Sequence, residues 1–78
     1  MAKGAPVTEI ELAALAKKYR EASGKNRSEA ARELGVARPT LIDAEDKPDA
    51  SLTKLRIRII EMYSSFRVIG PRFWLEKK

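Results

Sequence analysis

With 78 residues, no cysteine and no histidine, the chain has room for one small domain, and its core must come from Leu, Ile, Val, Ala and a few aromatics. The missing residue types exclude disulfides, thiolate metal sites and histidine acid–base chemistry, and no glycine-rich phosphate loop or metal-spaced carboxylate cluster points to an enzyme or a cofactor. Sixteen basic residues against 11 acidic ones leave a net charge of +5 and a pI near 9.8, a balance that favours a polyanionic partner such as nucleic acid.

Residues 1–7 read as a flexible tail. Thr8 and Glu11 have the spacing of a capping box, with Val7 and Leu12 placed as a hydrophobic staple, so the first helix is expected from Glu9 to about Ser23. Leu12, Leu15, Ala16 and Tyr19 form its buried stripe, and Gly24 stops it. Asn26 and Glu29 repeat the capping pattern ahead of a short helix that turns Ala30, Ala31 and Leu34 inward. Gly35 permits a sharp turn and Val36 packs the corner. A third helix is expected over Pro39 to Glu45, with Leu41 and Ala44 inward and Arg38, Pro39, Thr40 and Asp43 outward. Because a residue before proline avoids helical geometry, Arg38 is expected to be the N-cap and Pro39 the first helical residue.

A polar turn with a proline breaker, Asp46 to Ala50, leads to Ser51 as the expected cap of a fourth helix ending near Tyr63 or Ser64. Leu52, Leu55, Ile59 and Met62 mark one apolar face, and Ile57 and Ile60 a second. Beyond Ser65 the pattern changes to two β-branched and aromatic runs, Phe66–Ile69 and Arg72–Leu75, separated by Gly70-Pro71. They read as one or two short strands or an extended arm. An isolated hairpin is not stable in water, so this segment needs a partner, either the same segment of a second subunit or the body of its own domain.

The run Ala30-Ala31-Arg32-Glu33-Leu34-Gly35-Val36, followed by a helix ending Leu41-Ile42-Asp43-Ala44-Glu45, resembles the Cro/repressor-type (Xre-like) helix-turn-helix family. The likeness spans Tyr19 to Ile60, about half of the chain. It implies a mainly α, compact four- or five-helix DNA-binding domain over residues 8–64, while residues 65–78 are read from their own pattern as a C-terminal strand or extended dimerisation arm. It also implies an ion pair between Arg20, near the end of helix one, and Glu45, at the end of helix three. Two departures stand out: Ala37 replaces the usual Ser or Thr cap of helix three, and the long fourth helix with its aromatic tail replaces two shorter helices.

In such a domain the second helix of the motif enters the major groove. Arg38 suits the O6 and N7 of guanine, or a phosphate; Thr40 offers a hydroxyl and a methyl; Pro39 offers shape. Asp43 suits cytosine N4, holds Arg38, or is simply solvated. Arg27, Ser28, Lys47 and Lys54 are candidate phosphate contacts, Arg27 and Ser28 being at a helix N-terminus. Phe66, Val68, Ile69, Phe73, Trp74 and Leu75 are candidates for a homodimer arm that would space two recognition helices about one DNA turn apart.

The leading expectation is a dimeric repressor of a palindromic double-stranded operator, without catalytic chemistry or cofactor. Two rivals stand beside it: an antitoxin or other module whose C-terminal arm binds a partner protein, and a single-strand binder that stacks bases on its aromatics. Nothing resembles a signal peptide and no apolar run spans a bilayer, so no membrane partner is expected and the cytoplasm, in association with the nucleoid, is the expected location.

Overall fold

The computed structural model describes residues 8–69 and 74–78. The expected tail over 1–7, the staple residue Val7, Phe73 and the side chain of Trp74 lie outside the described residues. The described chain is mainly helical, with α1 (Glu9–Ala22), α2 (Arg27–Leu34), α3 (Arg38–Asp46) and α4 (Thr53–Tyr63), followed by β1 (Phe66–Ile69) and β2 (Trp74–Lys77).

Local chemistry sets most helix ends. Glu11 N–H donates to Thr8 Oγ1 (3.2 Å) while Thr8 N–H donates to Glu11 Oε1 (2.8 Å), which satisfies two donors at the start of α1. Asn26 and Glu29 repeat the exchange ahead of α2, at 2.8 and 3.0 Å. Gly35 closes α2 with φ 73° and ψ 31°, a left-handed conformation that is free of Cβ strain only for glycine.

Two helix starts differ from expectation. Ala37, not Arg38, is the N-cap of α3, and Pro39 falls in the second helical position. The first turn closes through Leu41 N–H donating to Ala37 O (3.2 Å), and a second-position N–H has no helical acceptor, so proline there sacrifices no bond. At α4 the N-cap is Leu52 rather than Ser51, with no side-chain cap. Backbone bonds from Ala50 N–H to Lys47 O (3.0 Å) and from Leu52 N–H to Ala50 O (2.8 Å) carry the turn one residue further. The hydroxyl of Thr53 then ties the helix entry to Glu9 Oε2 on α1 (2.8 Å).

The core gathers Leu12 and Ala16 of α1, Ala30, Ala31 and Leu34 of α2, Leu41 and Ala44 of α3, and Leu55, Ile59 and Ile60 of α4. Leu15, Tyr19, Val36 and Leu52 pack at its margin. Met62, expected on the apolar face of α4, is exposed, and Arg56 occupies the centre of that face instead.

The C-terminal segment is an antiparallel hairpin with Phe66 opposite Lys77 and Ile69 opposite Trp74. Its partner is the body of its own domain. Phe66 lies 6.1 Å, ring centre to ring centre, from Tyr19, and Val68 and Leu75 pack on the core. Period-2 alternation turns Arg67 and Ile69 outward, and Arg67 Nε meets Glu76 Oε1 at 3.1 Å on that face. The outer edge of β1 is occupied, because Phe66 N–H donates to Ser64 Oγ (3.1 Å) and Val68 N–H to Glu61 Oε2 (3.0 Å). Among the described residues β2 pairs with β1 alone, so its outer edge is open. No described helix is long and apolar enough to cross a membrane.

Candidate nucleic-acid interface

The α3 helix has one face in the core and one in solvent. Leu41, Ala44 and Glu45 are buried, whereas Arg38 and Pro39 are exposed and Thr40, Ile42 and Asp43 are half-exposed. The three-residue connection 35–37 leaves no slack between α2 and α3, so the Arg38 end projects from the corner built by Gly35 and Val36.

Buried electrostatics fix this helix from behind. Arg20 Nε and Nη2 donate to the two carboxylate oxygens of Glu45 at 2.5 and 3.0 Å, and both side chains are almost fully buried. The Glu45 hydrogen bond and charge, opposed by burial, raise the Arg20 pKa further above its ordinary value. Arg20 Nη1 also donates to Lys25 O (2.6 Å), which ties the end of α1 to the entry of α2.

Arg27 joins the same network. Its Nε donates to Glu45 Oε1 (3.2 Å) and its Nη2 to both oxygens of Asp46 (3.0 Å). As a phosphate anchor Arg27 would have to leave two carboxylates, so its first role in this structure is to brace α3 against α2. Ser28, beside it, is exposed in the first turn of α2.

On the other side of α3, Asp43 meets Lys47 at 3.5 Å, one helical turn apart, rather than Arg38. Such exposed pairs are weak, roughly 0.3–0.5 kcal/mol, so Lys47 remains available to a stronger anion. Among the described residues, Arg38 and Lys54 have no carboxylate partner within salt-bridge distance. Lys54 lines an open cleft of about 650 Å³ between the α2–α3 corner and the start of α4, with Thr40 and Val36 on one wall and Leu52 and Leu55 among its lining. Arg58, also at the cleft, donates to Leu34 O (2.8 Å) and so holds the end of α2.

The proposed contact set is therefore brought together in part. Arg38, Pro39 and Thr40 form one outward tip, Lys54 flanks it across the cleft, and Asp43 with Lys47 lies further along α3. Val68 and Leu75 pack on the domain's own core and Phe66 lies against Tyr19, leaving Ile69, 38% exposed, as the outward member of the described arm candidates.

One structural residue escaped the sequence patterns. Arg56 is fully buried and binds three backbone carbonyls at the end of α3 and in the following loop. The signal was its register, with Leu52 four residues before, Ile59 three after and Ile60 four after, which centres an arginine on an apolar face. No protein-family model, curated protein or solved structure matches the chain.

Proposed function

We propose that this chain is a sequence-specific double-stranded DNA-binding regulator of the Cro/repressor-like type, with α2 and α3 as its helix-turn-helix. The observation that carries the reading is the outward tip Arg38-Pro39-Thr40 on a helix whose opposite face is anchored by Leu41, Ala44 and the buried Glu45. A rigid mount matters because a guanidinium reads guanine O6 and N7 only when both bonds form together. Thr40 adds a hydroxyl and a methyl beside it, and Asp43 is free to exchange Lys47 for cytosine N4.

In this reading Lys47 and Lys54, with Ser28 at the α2 N-terminus, contact phosphates, and the net charge of +5 supplies the sequence-independent attraction. The regulator acts by occluding DNA as a homodimer, with no catalytic step and no cofactor. The open outer edge of β2 and the exposed Ile69 are the surface we assign to that homodimer, in place of Val68 and Leu75, which pack on their own domain. Association would pair β2 strands across a two-fold axis and would present two α3 helices to a palindrome.

The test is selection of binding duplexes from a random library by the full chain, followed by titration of the selected duplex and a scrambled one over a range of salt. A recovered palindromic consensus with a steep salt dependence supports the proposal. Recovery of no consensus, or a preference for single strands, defeats it.

A further inference from the structure

We propose that Arg56 is a positioning residue for sequence reading: its buried guanidinium sets the angle at which α3 presents Arg38 and Thr40, and thereby discrimination between DNA sequences rather than affinity for DNA as such. The inference rests on the duplex-binding reading above.

The guanidinium is 0% exposed and uses its planar fork on four acceptors from three places in the chain. Nε donates to Ala44 O in the last turn of α3 (2.8 Å). Nη2 donates to Lys47 O (2.6 Å) and Ala50 O (3.0 Å), which fixes the path of the chain as it leaves α3. Nη1 donates to Glu9 Oε1 (3.0 Å), the carboxylate that also accepts from Thr53. One side chain on α4 thus joins the exit of α3, the loop behind it and the start of α1.

Its contact on α3 lies one residue from that of Arg20, which holds the Glu45 carboxylate from α1. The two arginines clamp the same end of α3 from two helices, while the opposite end starts at Ala37 without any side-chain cap. The tight 35–37 turn fixes where α3 begins and the two arginines fix where it ends, so the clamp sets the tilt and roll of the helix between them. A helix with its side chains is roughly 10–12 Å across, so a roll of about 10° moves an outward side-chain tip by roughly 1 Å. A displacement of that size breaks paired hydrogen bonds to a base edge. It changes long-range attraction to phosphates little, because that attraction varies slowly with distance.

Lysine cannot replace the fork, since its three donors radiate from one atom and do not serve four acceptors from three separate nitrogens. The experiment uses the full chain and the duplex selected by the wild type. Arg56→Lys is expected to reduce the affinity ratio between selected and scrambled duplex by about tenfold or more, with affinity for the scrambled duplex within about twofold of wild type. Glu9→Gln, which loosens one arm of the clamp, is expected to give a smaller loss of the same kind. Leu15→Ala serves as a control that destabilises the domain away from the clamp and keeps the wild-type ratio.

An unchanged ratio in folded Arg56→Lys overturns the inference. So does an equal fall for both duplexes, or an equal fall in the Leu15→Ala control. If Arg56→Lys does not fold, Glu9→Gln decides alone, and unfolding of both overturns the inference because the guanidinium then holds the domain and not the aim of α3. A wild type that selects no duplex defeats the underlying reading before any variant is compared, so the two failures are distinguishable.

Discussion

Arg20 and Glu45, 25 residues apart, meet in a two-point contact in which each carboxylate oxygen accepts one guanidinium N–H. The contact is buried, and Arg27 donates to one of the same oxygens. Glu45 therefore serves two arginines, and removing its charge leaves the buried Arg20 without its carboxylate contact, while Arg27 keeps Asp46. Glu45→Gln is expected to lower unfolding free energy by about 3–5 kcal/mol, whereas Arg27→Met, at the more exposed edge of the network, is expected to cost about 1 kcal/mol. Urea denaturation of the two variants checks the order; equal losses would show that the buried pair is not the anchor.

Arg38 and Lys54 are expected to fail differently. Arg38→Ala should weaken the selected duplex by about 1–3 kcal/mol and relax preference at the base pair it reads, with no change in thermal midpoint, since the side chain is exposed. Lys54→Ala should weaken all duplexes alike and reduce the salt slope by about one. Fluorescence anisotropy across salt concentrations separates the two.

Gly35 holds φ at 73°, yet a Cβ added there would meet nothing within 4 Å. The cost of Gly35→Ala is then conformational alone, about 1–2 kcal/mol, with DNA binding retained below the melting temperature. Gly35→Asn should recover part of that loss. Thermal denaturation provides the comparison, and a loss well above this range would reveal a packing role for the turn.

Burial, and then the hydrogen bond that its hydroxyl donates to Glu33, push the Tyr63 phenol up to about 12. Tyr63 and then Lys25 hold the Glu33 carboxyl below its ordinary value. A raised phenol pKa means that the folded state binds its proton more tightly than the unfolded state. The stabilisation is complete below about pH 10 and is lost as pH rises towards 12. For Glu33 the sign reverses, with stabilisation present above the ordinary carboxylate pKa and lost as pH falls. Tyrosinate absorbance should show a step near pH 12 that Tyr63→Phe abolishes and Glu33→Gln moves towards the ordinary phenol value.

Lys77 lies opposite Phe66, whose own N–H turns away from β2 to Ser64. In an antiparallel ladder this makes the two a non-hydrogen-bonded pair, so Lys77 N–H faces the open edge. Lys77→Pro removes that outward donor without taking a bond from β1. The expected result is a monomer with native circular dichroism and weakened binding to a palindrome, read by sedimentation and by duplex titration. A variant that stays dimeric would exclude the β2 edge as the interface.

The sequence by itself determined what depends on residues three or four apart. Thr8 with Glu11 and Asn26 with Glu29 announce two helix starts, Gly24 and Gly35 two helix ends, and the apolar spacing names most of the core. Such features are legible because their partners lie within one helical turn, where spacing alone brings them together. Only the tertiary structure decided where the arginines go. Arg27, Arg56 and Arg58 look alike in a sequence, yet one braces Glu45 and Asp46, one is sealed beneath α3 and one holds the end of α2. It also decided that the hairpin folds back on Tyr19 and the core, when the strand pattern suited a second subunit equally well. The physical reason is common to both: a long side chain or a strand satisfies its donors and apolar surface against whatever distant surface the packed helices bring within reach, and short-range periodicity does not encode that surface.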